Sequence, residues 1–362
     1  MDKRVNMRAM QNVEDRLFRL GLLLAGGGSR IRRQVAAVPA GTDLPTVFAE
    51  RQTPRALLTT ARELASAEAV TVLDRTARAG WRWLIPSDEE FPSLLGEITD
   101  PPLGLFVRGR ITSAKTVAIV GSRKGTPYGR QVARLLGEEL AGAGVVVISG
   151  MARGIDESAH RGAIDGGGAS WAVWGTGPDR IYPPEHGELA EELAADGALL
   201  TEYPPGTPPR RHHFPERNRI LAGLAMAVVV VEAAARSGAL VTARLAVEEG
   251  REVLAVPGNI FSEFSVGPNT LIRVGARPLL TPRDLFDAID VMPAPDQQLP
   301  PDEGLLRFIA AGESLTADEI AARAQVDVAA AAGDLIALEL GGMVRREPDG
   351  RYARVRGTPA DD

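Results

Sequence analysis

The sequence predicts an α/β protein built on a doubly wound, mostly parallel sheet, and three observations carry that prediction. Six Val- and Ile-rich apolar runs recur between residues 116 and 258. Segments with helical spacing separate them. Several of those segments end on the glycine expected just past a helix C-terminus. Strands buried on both faces read as continuous apolar runs, and parallel neighbours need a crossover helix between them.

The runs are TVAIVGS (116–122), VVVISG (145–150), SWAVWGTG (170–177), ALLTEYP (198–204), MAVVVVEA (226–233) and EVLAVPG (252–258). The intervening helical segments are YGRQVARLLGEELAGAG, DESAHRGAIDG, HGELAEELAADG, FPERNRILAGLA and SGALVTARLAVEEG. Residues 1–112 read as a separate helical region, through RLFRLGLLLAGG and PRALLTTARELASAEAVTVLDRTARAG, followed by a Pro-broken connection to the sheet. The sheet domain is expected at 113–290. A proline- and acid-rich linker follows at 291–303, within MPAPDQQLPPDEG (292–304) and its flank. Residues 304–362 read as three helices and a hairpin turning at Pro348-Asp349-Gly350, the pattern of a winged helix.

Composition narrows the function classes. The chain has 362 residues, 44% of them hydrophobic, which excludes a disordered segment. It has no cysteine, so disulfides, thiolate metal sites and cysteine nucleophiles are excluded. No stretch approaches the roughly 18–20 apolar residues of a membrane span, and a cytoplasmic protein without a membrane partner is expected. Formal charge is −6, against a generic nucleic-acid-coating protein. Residues 291–362 hold 13 acidic and seven basic residues, however, which leaves residues 1–290 neutral. Within that neutral background, residues 121–130 and 210–219 each carry +3.

Ligands of doubly wound sheets bind outside the C-terminal strand ends, so function is sought in those loops. Gly121-Ser122-Arg123-Lys124 closes the first run and opens a helix, placing a hydroxyl, two cations and free N–H groups where phosphate binds. The second run leads into Gly150, Arg153 and Asp156. The glycines permit a tight turn, Asp156 is expected to cap the next helix, and His160 to be packed rather than basic. The third ends at Gly175-Thr176-Gly177, with Tyr182 placed either to stack on a base or to pack under the loop. The densest signal is Arg210-Arg211-His212-His213-Phe214-Pro215-Glu216-Arg217-Asn218-Arg219. Cationic grooves with interleaved aromatic rings bind single-stranded nucleic acid; the competing reading is a solvated loop whose Phe214 staples a helix. Adjacent His212 and His213 have no third ligand, so no metal is expected. Glu202, Glu232 and Ser237 lie near strand ends and keep a nucleotide hydrolase open as the alternative, without a nucleophile–base pair or a Walker-type lysine.

Taken in order, these loops resemble the DprA/Smf family of bacterial natural transformation. The resemblance rests on GSR (121–123), SGMARGID with AH (149–160), GTGPDRIYP (175–183), TEYPPG (201–206), FPERNRI (214–220), VVVVEAAARSGALVTARLA (228–246), REVLAVPGN (251–259) and GPNTLIRVGA (267–276). It implies an extended Rossmann-like core that binds single-stranded DNA without sequence preference, protects it, self-associates as a homodimer and loads the RecA recombinase, with no catalytic residue and no cofactor. Family members often carry a small helical (SAM- or helix-hairpin-helix-like) domain before the core and a winged-helix-like domain after it, and the flanks match in outline. Carried over by motif, the DNA-binding set is Gly121, Ser122, Arg123, Lys124, Gly150, Arg153, Gly177, Arg211, His213, Phe214, Arg217, Asn218 and Arg219. The core is more distantly similar to lysine-decarboxylase-like nucleotide hydrolases. Their P-G-G-x-G-T loop is replaced here by Pro257-Gly258-Asn259, which argues against hydrolysis. A DNA-independent scaffold is the third class.

Overall fold

The structure is a computed structural model that describes residues 3–38, 44–50, 55–66, 68–291, 304–309, 313–340, 343–347 and 350–354. It divides into two compact units, residues 1–293 and 294–362. The expected linker lies outside the described residues, apart from Val291.

The first unit opens with helices α1 (Lys3–Leu24), α2 (Ser29–Ala36), α3 (Leu44–Glu50), α4 (Arg55–Ser66) and α5 (Glu68–Arg78). It continues through β1 (Arg82–Leu84), α6 (Ser93–Gly96), β2 (Leu105–Gly109), β3 (Thr116–Val120), α7 (Pro127–Gly142), β4 (Val146–Ser149) and α8 (Ile155–Asp165). Next come β5 (Ser170–Val173), α9 (Gly187–Asp196), β6 (Ala198–Thr201), α10 (His213–Leu224), β7 (Ala227–Val230) and α11 (Gly238–Glu248). The unit closes with β8 (Glu252–Ala255), α12 (Val266–Arg273), β9 (Arg277–Pro278) and α13 (Pro282–Ala288).

All six apolar runs form strands, in one nine-stranded sheet of order β1-β2-β6-β5-β4-β3-β7-β8-β9. From β6 to β9 every neighbouring pair is parallel. The chain winds outward from β3 through β4 and β5 to β6, then returns across the sheet to β7 beside β3. That reversal makes the carboxyl ends of β3 and β7 the topological switch point. Alternation along the strands separates two cores. Val117 and Ile119 pack with Ala133, Leu136 and Ala159 of α7 and α8, whereas Ala118 and Val120 pack with Leu221, Ala239 and Ala243 of α10 and α11.

Two expectations need correcting. The segment read as a Pro-broken connection supplies β1 and β2, β2 pairing antiparallel with β6 and β1 antiparallel with β2, and β9 adds a short strand at the opposite edge. The expected boundary at residue 112 therefore does not separate two bodies: Trp81, Trp83 and Phe106 share a core with Leu20 of α1, Leu199 of β6 and Leu193 of α9. The antiparallel edge escapes a helix-alternation pattern because β1 and β2 are joined by a proline-broken loop and the short α6.

The second unit holds a 3-10 turn (Gly304–Phe308), β10 (Ser314–Leu315), α14 (Ala317–Ala324), α15 (Val328–Leu340), β11 (Val344–Arg346) and β12 (Tyr352–Arg354), with sheet order β10-β12-β11. Its first expected helix is only that 3-10 turn. A capping box between Thr316 and Glu319 starts α14. Leu306, Ile309, Ile320, Leu335 and Tyr352 form its own core. Pro348 and Asp349 of the expected hairpin turn lie outside the described residues.

Candidate nucleic-acid interface at the strand ends

A crevice of about 590 Å³ opens at the switch point, walled by Gly121, Ser122 and Arg123 after β3 and by Arg236, Ser237 and Gly238 after β7. The N-terminal turn of α11 faces into it, and α10 supplies Phe214, Arg217 and Asn218. Ser237 caps that turn by accepting from the Ala239 N–H at 3.3 Å, and the positive end of the helix dipole favours an anion there.

Phe214 is the centre of the site. Its ring lies 5.4 Å from that of Tyr182, and the Arg123 guanidinium stands over it, 4.9 Å from the centroid. The side chain rests against Gly175, where an added Cβ would come within 3.1 Å of the ring. Tyr182 therefore does pack on the loop, through the same ring that could support a base. Arg211 reaches the crevice from the segment preceding α10. Arg123, Lys124, Arg211 and Arg236 are exposed, and among the described residues none has a carboxylate partner. Three unneutralised arginines, Arg123, Arg211 and Arg236, line the crevice with the Phe214 ring, and Lys124 follows Arg123 on the β3 loop; such a set can hold phosphates while a base stacks.

The same ten-residue segment hides its other arginines. Arg217 is buried, donating to the carbonyls of Gly150 and Val173 and, through Nε, to Asn218 Oδ1 at 3.2 Å. Burial lowers its pKa to about 10, opposed by the charge of Asp156, so it remains a cation at neutral pH. It covers Gly150 so closely that a Cβ there would sit 2.2 Å from Nη2. Gly150 thus makes room for the arginine. Asn218 is fixed as well, donating to the carbonyl of Gly238. Arg219 does not line the crevice: it pairs with Glu202 at 2.5 and 2.8 Å and with Asp100 at 3.3 Å, and Asp100 in turn holds Arg32 of α2 at 2.7 Å.

Other sequence expectations shift in similar ways. His213 is buried, its Nδ1 3.1 Å from the carbonyl of Gly175 and its ring stacked on Tyr203, and burial keeps its pKa low. Gly177 lies under the carbonyl of Pro204 and shapes the loop away from the crevice. Arg153 is exposed but carries Glu185 at 2.5 Å. Asp156 lies inside α8 rather than capping it: its carboxylate accepts from the N–H groups of Gly150 and Ala152 and so closes the β4–α8 loop. Burial raises its pKa, against the opposing charge of Arg217. His160 is packed as expected, against Ser170 Oγ at 2.7 Å. Both carboxylates weighed as bases are engaged, Glu202 by Arg219 and Glu232 by the Thr126 N–H and hydroxyl at 2.8 and 2.5 Å. Among the described residues no cluster of three or more His, Asp or Glu could hold a metal. Sequence reading missed Arg236, whose only signal is its place just past a central strand.

Fold and site together define a class: a Rossmann-like protein whose switch point presents a helix N-terminus, arginines without carboxylate partners and an aromatic ring, a set suited to a phosphate-bearing ligand. The family model described as DNA recombination-mediator protein A matches residues 82–290, and the DprA winged helix domain model matches residues 291–350. The chain is 42% identical to Protein Smf of Escherichia coli over 293 residues, 75% of this chain and 77% of that one. It is 41% identical to DNA processing protein DprA of Bacillus subtilis over 56% of this chain and 69% of that one. The solved structure of DNA processing protein A from Streptococcus pneumoniae superposes with a TM-score of 0.68 at 31% identity, covering 75% of this chain and 97% of that one. That of the Helicobacter pylori protein, described for its single-stranded DNA binding mode, superposes at 0.52 with 27% identity, covering 59% and 98%. The chain belongs to the DprA/Smf family of DNA recombination-mediator proteins. No helix among the described residues is long and apolar enough to cross a membrane.

Proposed function

We propose that this chain binds single-stranded DNA without sequence preference in the switch-point crevice, protects it, and as a cytoplasmic homodimer hands it to the RecA recombinase without catalysing a reaction of its own. The observation that carries the reading is the arrangement around Phe214: a ring braced by Tyr182 and Gly175, with the exposed Arg123 and Arg211 beside it. Phe214 is half-buried and still lines the crevice, so part of its ring is offered to a base, and cations without carboxylate partners are free to neutralise phosphate. Membership of a family whose H. pylori member is described by its single-stranded DNA binding mode supports the ligand. Engagement of Glu202 and Glu232 in structural bonds favours binding over nucleotide hydrolysis.

Anisotropy of a labelled oligothymidine tests this. Arg123→Ala, Arg211→Ala and Phe214→Ala should each weaken binding about 5- to 150-fold, as expected when a stack or charge worth ~1–3 kcal/mol is removed. Unchanged affinity in all three would overturn the site, and release of free base from nucleoside monophosphates would revive the hydrolase. Recombinase loading and the dimer are checked by RecA filament formation on coated strands and by sedimentation of the full chain.

A further inference from the structure

The rim does not end at the crevice. β8 runs parallel to β7 with Val230 opposite Ala255, so the loop after β8 leaves the sheet one strand beyond Arg236. That loop is closed at its neck, where Gly258 and the Asn269 side chain exchange two hydrogen bonds of 3.1 and 3.0 Å. It is also tied to β7's end by Ala233 N–H to Phe264 O (2.7 Å) and Gly267 N–H to Ala233 O (2.8 Å). At its tip Asn259 accepts from the N–H groups of Phe261 and Ser262, both at 2.9 Å. This pinned turn holds Ile260 80% and Phe261 90% exposed. Tyr128, 53% exposed, spans the gap to the β3 loop: it starts α7 four residues after Lys124, and its hydroxyl donates to the carbonyl of Pro257 at 3.4 Å.

We propose that Tyr128 and Phe261 form a second stacking platform that extends the single-strand path from Arg123 and Lys124 across the ends of β3 and β8. This rests on reading the crevice as a single-strand site. Two rings offered to solvent, one from the first turn of α7 and one from the β8 loop, with Arg123 and Lys124 between them and the crevice in sequence, repeat the chemistry found around Phe214. Lys124 on the β3 loop and Arg130 in the first turn of α7 supply charge, and Glu263 is the one carboxylate on the β8 loop. An exposed ring fixed by its backbone loses little freedom when a base stacks on it, and any base can do so.

The full chain is titrated with oligothymidines of roughly six and roughly twenty nucleotides, the first sized for the crevice alone. Tyr128→Ala and Phe261→Ala should leave the short strand's affinity unchanged and weaken the long strand about 5- to 100-fold. Phe261→Leu separates a ring from an apolar surface: it should weaken the long strand as much as Phe261→Ala. A 2-aminopurine scanned along the long strand should show a quenched position in wild type that brightens in Phe261→Leu. Equal long-strand affinity for wild type and the Tyr128→Ala/Phe261→Ala double variant overturns the proposal. So does wild-type behaviour of Phe261→Leu, or a change in oligomeric mass without a change in binding, since each assigns the tip to a protein contact. Loss of the short strand's binding only in the Phe214 and Arg123 variants leaves the crevice reading standing whichever way the platform result falls.

Discussion

Arg211 and Arg217 lie six residues apart in one basic segment and do opposite work. Arg211 is exposed at the crevice mouth without an acidic partner; Arg217 is enclosed, spending its donors on two carbonyls and a neighbouring asparagine. The division falls where the segment turns into α10: residues before the helix face solvent, and those one turn in face the sheet. Positive charge in a sequence is thus of two kinds, charge that awaits a ligand and charge that holds the frame on which the ligand rests. The first kind is read by affinity and salt dependence, the second by stability.

The sharpest break between them should come at Arg219. Arg219→Ala leaves Glu202 and Asp100 with half their compensation, and removing one partner of a buried pair costs roughly 3–5 kcal/mol. Urea denaturation should show that loss, and a stability within error of wild type would place Arg219 in the exposed class. Arg217→Met should cost about 2–3 kcal/mol by leaving buried carbonyls without their charged donor, and Gly150→Ala should approach it by displacing the same guanidinium. Full stability with lost DNA binding would instead move Arg217 to the ligand side.

The buried side also carries a pH signature. His160 is enclosed with its pKa held at about 3 by burial and by the nearby His186, Arg217 and Arg161, against 6.5 for the open imidazole. Below 6.5 the unfolded chain takes up a proton that the folded chain refuses, so this contribution is full above 6.5 and declines as pH falls toward 3. Between pH 7.5 and 5 the loss should be about 2 kcal/mol, and His160→Gln should flatten that part of the curve. Smallest in stability is the exposed member. Arg211→Ala should change the unfolding free energy by less than about 0.5 kcal/mol. Its mark should be a salt dependence of DNA binding reduced by roughly one phosphate contact. A large loss of stability there would erase the distinction.

Much of this architecture was legible beforehand, for physical reasons. Strands covered on both faces must be apolar throughout, so Val117–Val120 and Val228–Val230 announced themselves, and ligand loops follow from where such strands end. The partners of buried charges were not legible. Arg219 finds Glu202 at a separation of 17 residues and Asp100 at 119, and neither pairing leaves a local trace. Arg217 was harder still, because its acceptors are main-chain carbonyls that every residue possesses. The antiparallel edge was missed for the same reason: β2 meets β6 only after the intervening sheet has been laid down. The loops of the crevice were found by motif, whereas the difference between lining it and supporting it was visible only in three dimensions.

Arg32, Asp100, Arg219 and Glu202 form a four-charge balance, two cations against two anions, with one member on α2 and another on the helix that carries Phe214. Trimming the chain to residue 82, where the family match begins, would remove Arg32 and leave that balance one cation short beneath α10. It would also remove Trp81 and Leu20 from around Trp83 and Phe106. The amino-terminal helices therefore act as ballast for the recognition surface: a protease nick or a shortened gene that spares every crevice residue would still unsettle the helix on which they stand.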